Sequence, residues 1–187
     1  MPARPILVAA LAAPLAALAD ASPQEALIGS WTTPLAEQSA GGSSAHVRER
    51  IVFGPATNTV SIEAFADEAG TVPLFTYAST GPYEITGPSE AVPGAWMLDA
   101  RNSSSTFTVF APAPEVWAAL NLGGCAFETG VPLEIANCVS GPPFNAARCL
   151  ELDLVHVKGD ALRLGARDVD RCKTRPDALG ETLYRRE

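Results

Sequence analysis

Apolar and polar residues alternate along this chain in short runs, each closed by Gly, Pro, Asn or Asp, and the runs return about every ten residues. From Val47 to Phe53 the alternation sets Val47, Ile51 and Phe53 on one face against Arg48, Arg50 and Val52, with Glu49 out of phase on the apolar side. Thr59 to Ala66 is cleaner, with Val60, Ile62, Ala64 and Ala66 alternating with Ser61, Glu63 and Phe65. The pattern is densest between Phe75 and Phe110, where Trp96 shares a face with Leu98, and Phe107 with Val109. Further on, Leu150, Leu152 and Leu154 alternate with Glu151, Asp153 and Val155; Lys158-Gly159-Asp160 supplies a turn, and Leu162 and Leu164 answer across it. Leu183 to Arg186 reads as a closing strand. Period-two runs of this kind mean strands with one buried and one wetter face. They predict an all-β fold, an antiparallel barrel of roughly eight to ten strands with one short helix.

That helix is expected at Pro112 to Asn121, where Pro and Glu115 open a turn and Val116, Trp117 and Leu120 make a short apolar stripe. Ser22 to Leu27 has the Ser-Pro opening and early Glu of a brief helical turn. Thr33 to Ala45 is rich in Gly, Ser and Ala and is expected to be a long loop, as is Cys125 to Asn145 apart from a strand at Pro132 to Ala136.

The first nineteen residues change the picture. Arg4, the apolar stretch Ile6 to Leu18 and Ala17-Leu18-Ala19 before Asp20 have the layout of a cleaved secretory signal peptide. The apolar stretch is too short, and Pro14 too disruptive, for a membrane span of about 20 residues. Residues 20–187 are then one domain, expected in the periplasm or secreted, with no transmembrane segment in the mature chain. Its partners are not nucleic acids: 13 Lys plus Arg against 21 Asp plus Glu give a net charge of -8, the wrong sign for holding phosphates.

Export makes the cysteines legible. Cys125, Cys138, Cys149 and Cys172 are even in number and not spaced as short metal-ligand pairs, so two disulfides are expected and no metal. Four cysteines allow three connectivities. Cys125 with Cys138 and Cys149 with Cys172 is preferred, because the first pair brackets a loop rich in Gly and Pro and the second closes the hairpin region.

Catalytic chemistry is hard to assemble. No nucleophile elbow, P-loop or dinucleotide fingerprint occurs, so neither an enzyme nor a cofactor is expected. Glu63, Asp99, Glu151 and Asp153 each fall on the polar phase of a strand, the pattern of a solvated face. His156 follows Leu150, Leu152 and Leu154 and is expected on their face, where it would be a core histidine or would orient a ligand carboxylate. Phe53, Phe75, Tyr77, Trp96, Phe107 and Trp117 are the expected lining of an apolar cavity, with His156 as its polar group. Filling the barrel as a solid core is the competing role for the same side chains.

Gly29-Ser30-Trp31 resembles the G-x-W of lipocalins, in which the Trp plugs one barrel end; Arg185 or Arg186 is expected to cover Trp31. The run Pro73 to Tyr77, Gly81 to Gly87, Thr106 to Phe110 and Asn121 to Cys125, with Leu162 to Gly165, Arg175-Pro176 and Leu179, resembles in order the adenomatosis-polyposis-coli-down-regulated domain family, here as a single bacterial-type copy. The resemblance implies a lipocalin-like barrel outside the cytoplasm that holds a small apolar or lipid-like ligand without catalysis. The alternative function is a structural or accessory module with a filled barrel, whose partner is another envelope protein.

Overall fold

The computed structural model describes residues 22–40, 43–112, 114–139 and 149–187. The expected signal peptide lies outside them. The helices are α1 (Pro23–Leu27) and α2 (Pro114–Ala119). The strands are β1 (Gly29–Thr32), β2 (Ala36–Ala40), β3 (Ser43–Phe53), β4 (Thr57–Phe65), β5 (Pro73–Pro88), β6 (Trp96–Ala100), β7 (Ser104–Val109), β8 (Leu133–Glu134), β9 (Glu151–Lys158), β10 (Ala161–Leu164) and β11 (Tyr184–Arg186). Eight of them close into an antiparallel, lipocalin-like barrel in the order β1-β3-β4-β5-β6-β9-β10-β11 and back to β1. β2 extends one edge of β3, and β7 and β8 form a wing on β5.

The wing exists because β5, sixteen residues long, serves two partners along one edge. Its first half pairs with β7, from Phe75 opposite Val109 to Thr80 opposite Ser104, and its second half with β6, from Tyr83 opposite Ala100. The chain steps from β6 to β7 through Arg101 to Ser103, whose amides bond Pro82 O (3.0 Å) and Thr80 O (2.8 Å). Gly81 lies under that step, and a Cβ there would come within 1.7 Å of Arg101 O. Only glycine permits the crossing. Beyond it, Pro82 has no amide hydrogen to leave unpaired.

The concave face carries two apolar clusters. Trp31, Ile51, Phe53, Tyr83, Leu98, Val155, Leu162, Leu164 and Tyr184 fill the barrel, while Tyr77, Phe107, Val109, Trp117, Leu122 and Ile135 pack where the wing, α2 and the following loop cover the sheet. The loop is held by the disulfide Cys125–Cys138, and Cys149–Cys172 ties the start of β9 to the segment after β10. Both bridges match the preferred pairing. Two disulfides are the chemistry of an oxidising compartment. No helix among the described residues is long and apolar enough to cross a membrane.

Two expectations need correction. Thr33 to Ala45 is not all loop: Ala36–Ala40 forms β2, which runs antiparallel to β3 from Ala36 opposite Val47 to Ala40 opposite Ser43. It projects past the barrel, where neither cluster demands an apolar face, so its Ala/Ser/Gln composition carries no alternation. The barrel itself has eight strands, as expected, while β2, β7 and β8 lie outside it, and the brief turn expected at Ser22 to Leu27 forms α1 as a second short helix. On β9 the core face is Val155 and Val157, opposite Leu164 and Leu162, so Asp153 shares it and His156 does not. Leu154 is fully buried outside both clusters, which made the even-numbered run look like the core face.

Candidate functional site

One end of the barrel is closed by α1. Ser22 caps it, accepting from Glu25 N (3.2 Å) while the Glu25 carboxylate accepts from Ser22 N (2.9 Å), a capping box that holds so short a helix. The Glu25 carboxyl is thereby held below its usual pKa, through the Ser22 amide and hydroxyl. Trp31 is fully buried beneath the helix and donates from Nε1 to Leu27 O at 2.8 Å. Arg186 lies over the Trp31 ring at 4.1 Å and donates to Ile28 O (2.7 Å) and Ala26 O (2.6 Å). Gly29 must stay bare for this, since a Cβ there would sit 2.6 Å from the guanidinium, and its φ of 132° disfavours any side chain. The helix is therefore bolted to the barrel by one arginine.

Between α1 and the wall opens a half-open cleft of about 220 Å³, lined by Pro23, Ala26, Leu27, Gly94, Trp96, Val155 and Val157, whose apolar side chains share its surface with backbone polar atoms. An apolar cavity of about 150 Å³ suffices for benzene. The wall residues are there by register: Trp96 stands opposite Val155 on the concave face, and Val157 follows two residues on.

Beside the apolar cluster, the barrel interior also holds a polar network. Glu49, the residue out of phase in the apolar run of β3, accepts from the Tyr184 hydroxyl at 2.5 Å. Asp153, only 3% exposed, accepts from Leu154 N (2.7 Å), Gly165 N (2.9 Å) and the Arg171 guanidinium, which also pairs with Glu151. Arg167 lies 3.9 Å from Asp153 and 4.0 Å from Glu151. Burial, then the charge and hydrogen bond of Glu49, push the Tyr184 phenol well above its usual pKa. Burial alone would lower that of Arg167, but Asp153, Tyr184, Glu151 and Glu49 hold it raised. Each carboxylate is thus committed to a hydrogen bond or an arginine, which makes the network a structural seal rather than a free acid–base pair.

The expected cavity lining is divided. Phe75, Phe107 and Trp117 pack on one another, with Phe75 stacked on Phe107 at 4.8 Å and Trp117 edge-on to both at 5.7 and 5.5 Å. Tyr77 belongs to the same cluster. Phe53 lies in the barrel cluster, edge-on to Tyr83 at 5.1 Å, and Trp96 is brought to the cleft. His156 stands on the outer face, its Nε2 3.5 Å from where a Cβ of Gly94 would be, and so flanks the cleft rim. Glu151 and Asp153 are not on a solvated face: they share the concave side with Val155, and only Glu63, paired with Arg48, and Asp99, paired with Arg175, stay on the outer one. Sequence reasoning missed Tyr184, Arg167 and Arg171, which join the network only through the closing strand and the long segment after β10. The misphased Glu49 was the signal that the interior is not wholly apolar.

No protein-family model matches this chain, and no curated protein matches its sequence.

Proposed function

We propose that this protein is an exported, non-catalytic, lipocalin-like binding protein of the periplasm or extracellular space, a relative of the adenomatosis-polyposis-coli-down-regulated domain. Its ligand is a small apolar group, a ring or a short chain, held between α1 and strands β6 and β9. The cleft of about 220 Å³, walled by the side chains of Leu27, Trp96, Val155 and Val157, is the observation that carries this reading. A whole lipid is disfavoured, because Trp31, Ile51, Phe53 and Tyr83 occupy the barrel centre where a long acyl chain would run. Each methylene fully moved from water into the cleft contributes about 0.8 kcal/mol before ordering costs, and a half-open cleft captures only part of that along a chain. The disulfides support export.

A second reading, an accessory module contacting another envelope protein, is favoured by the filled barrel together with the exposed apolar side chains Val72, Phe110 and Val131. Titration with 1-octanol, followed by tryptophan emission and by native mass spectrometry, separates the two. The expected result is saturable one-to-one binding that Ala26→Phe, which fills the cleft, abolishes without lowering the urea midpoint. Unchanged binding in a folded Ala26→Phe protein places the ligand elsewhere, and no binding at all favours the module.

A further inference from the structure

Lys158 and Arg163 stand out among the cations of this acidic chain. Among the described residues, every other Lys or Arg except Arg101 either sits against a carboxylate or, as Arg186 does, lies over a ring and bonds carbonyls. Lys158 and Arg163 have no such partner, and both are exposed. They flank one residue. Arg163 is directly opposite His156 in the β9–β10 ladder, and directly opposed residues point to the same side with Cβ atoms about 5 Å apart. Lys158, two residues along β9, points to that side as well. His156 in turn lies against Gly94, which lines the cleft. Two free cations and an imidazole thus share the outer face of the β9–β10 ladder, and the imidazole flanks the cleft, in a protein of net charge -8.

We infer that the ligand is an amphipathic carboxylate, a short-chain or single-ring organic acid whose apolar body enters the cleft while its carboxylate remains at the rim beside His156, Lys158 and Arg163. This rests on the cleft being the binding site. The division of labour follows from the geometry: Val155 and Val157 point into the barrel, while His156 and Lys158 on the same strand point out, so one strand edge offers an apolar and a cationic surface. A neutral molecule of the same shape uses only the first. The filled barrel leaves the cleft room for a short chain or a single ring rather than a diacyl lipid.

The test pairs octanoate with 1-octanol at neutral pH on the intact disulfide-bonded protein, by calorimetry or tryptophan emission, in wild type and in Lys158→Gln/Arg163→Gln. Both substitutions are exposed and outside the cleft, so folding is expected to be unchanged. Exposed charge pairs support about a threefold to tenfold preference for octanoate, shrinking in 0.5 M salt. The double variant should lose that preference and keep its affinity for 1-octanol. Equal binding of acid and alcohol in wild type would overturn the carboxylate assignment and leave the cleft standing. So would a preference that survives in the double variant. If neither compound binds, the cleft reading fails and the assignment falls with it.

Discussion

Replacing Arg186 with Ala tests whether one side chain holds α1 on the barrel. The substitution removes a cation from the Trp31 ring at 4.1 Å and two hydrogen bonds, to Ile28 O and Ala26 O, at the last turn of the helix. A cation over a ring at an exposed site contributes about 0.5–1 kcal/mol, and hydrogen bonds from a charged donor about 1.5–3 kcal/mol each when desolvated. Arg186 is exposed, so the hydrogen bonds are discounted heavily, and the total comes to about 2 kcal/mol. For a domain of this size that lowers Tm by about 4–8 °C. Urea unfolding followed by circular dichroism measures the loss, and tryptophan emission reports whether Trp31, fully buried here, becomes wet. Arg186→Lys should recover about half, keeping the charge over the ring but not the planar fork that reaches two carbonyls at once. If Arg186→Ala unfolds within about 0.3 kcal/mol of wild type with unchanged emission, the bolt is decorative and burial of Leu27 alone retains the helix.

Other perturbations have equally direct readouts. Asp153→Ala removes a carboxylate that accepts from two buried amides, of which Gly165 N keeps Leu154 O, and leaves Arg171 with Glu151 alone, which should cost about 3 kcal/mol in chemical denaturation; a loss below 1 kcal/mol would contradict the network as a seal. Because the Tyr184 phenol is raised in the folded state, its contribution to stability is fully present below the unfolded value of about 10 and is lost as pH rises above it, by up to about 1.4 kcal/mol per pH unit. Stability measured between pH 9 and 11 should therefore fall less steeply in Tyr184→Phe, and parallel curves would refute the assignment. Removing the Cys125–Cys138 bridge by a double Ser substitution frees a loop of 13 residues, at a cost of about 3 kcal/mol, and should shift Trp117 emission because that loop covers its cluster.

Much of the fold was legible in the sequence because a half-buried strand needs strict alternation. Ile51 and Phe53, Val60 and Ile62, and Phe107 and Val109 announced their inward faces, and the Gly159 turn announced its hairpin. The alternation failed where burial had another source. β9 carries two apolar sets, Leu152 and Leu154 on one side and Val155 and Val157 on the other, so its core face was ambiguous until its pairing with β10 placed Leu162 and Leu164 opposite the valines. β2 showed no pattern because neither apolar cluster includes it.

Local chemistry in the chain therefore determined an antiparallel β protein with a capped N-terminal turn, a buried Trp31 and two cysteine pairs that need an oxidising milieu. Only the tertiary structure decided which aromatics share a space: Phe75, Phe107 and Trp117 went to the wing, and Phe53 and Trp96 to the barrel. It also decided that Glu49, Asp153, Arg171 and Tyr184 meet inside, and that a cleft opens under α1. Periodicity tells each residue which side it faces. What lies on that side depends on barrel closure, which joins strands more than a hundred residues apart.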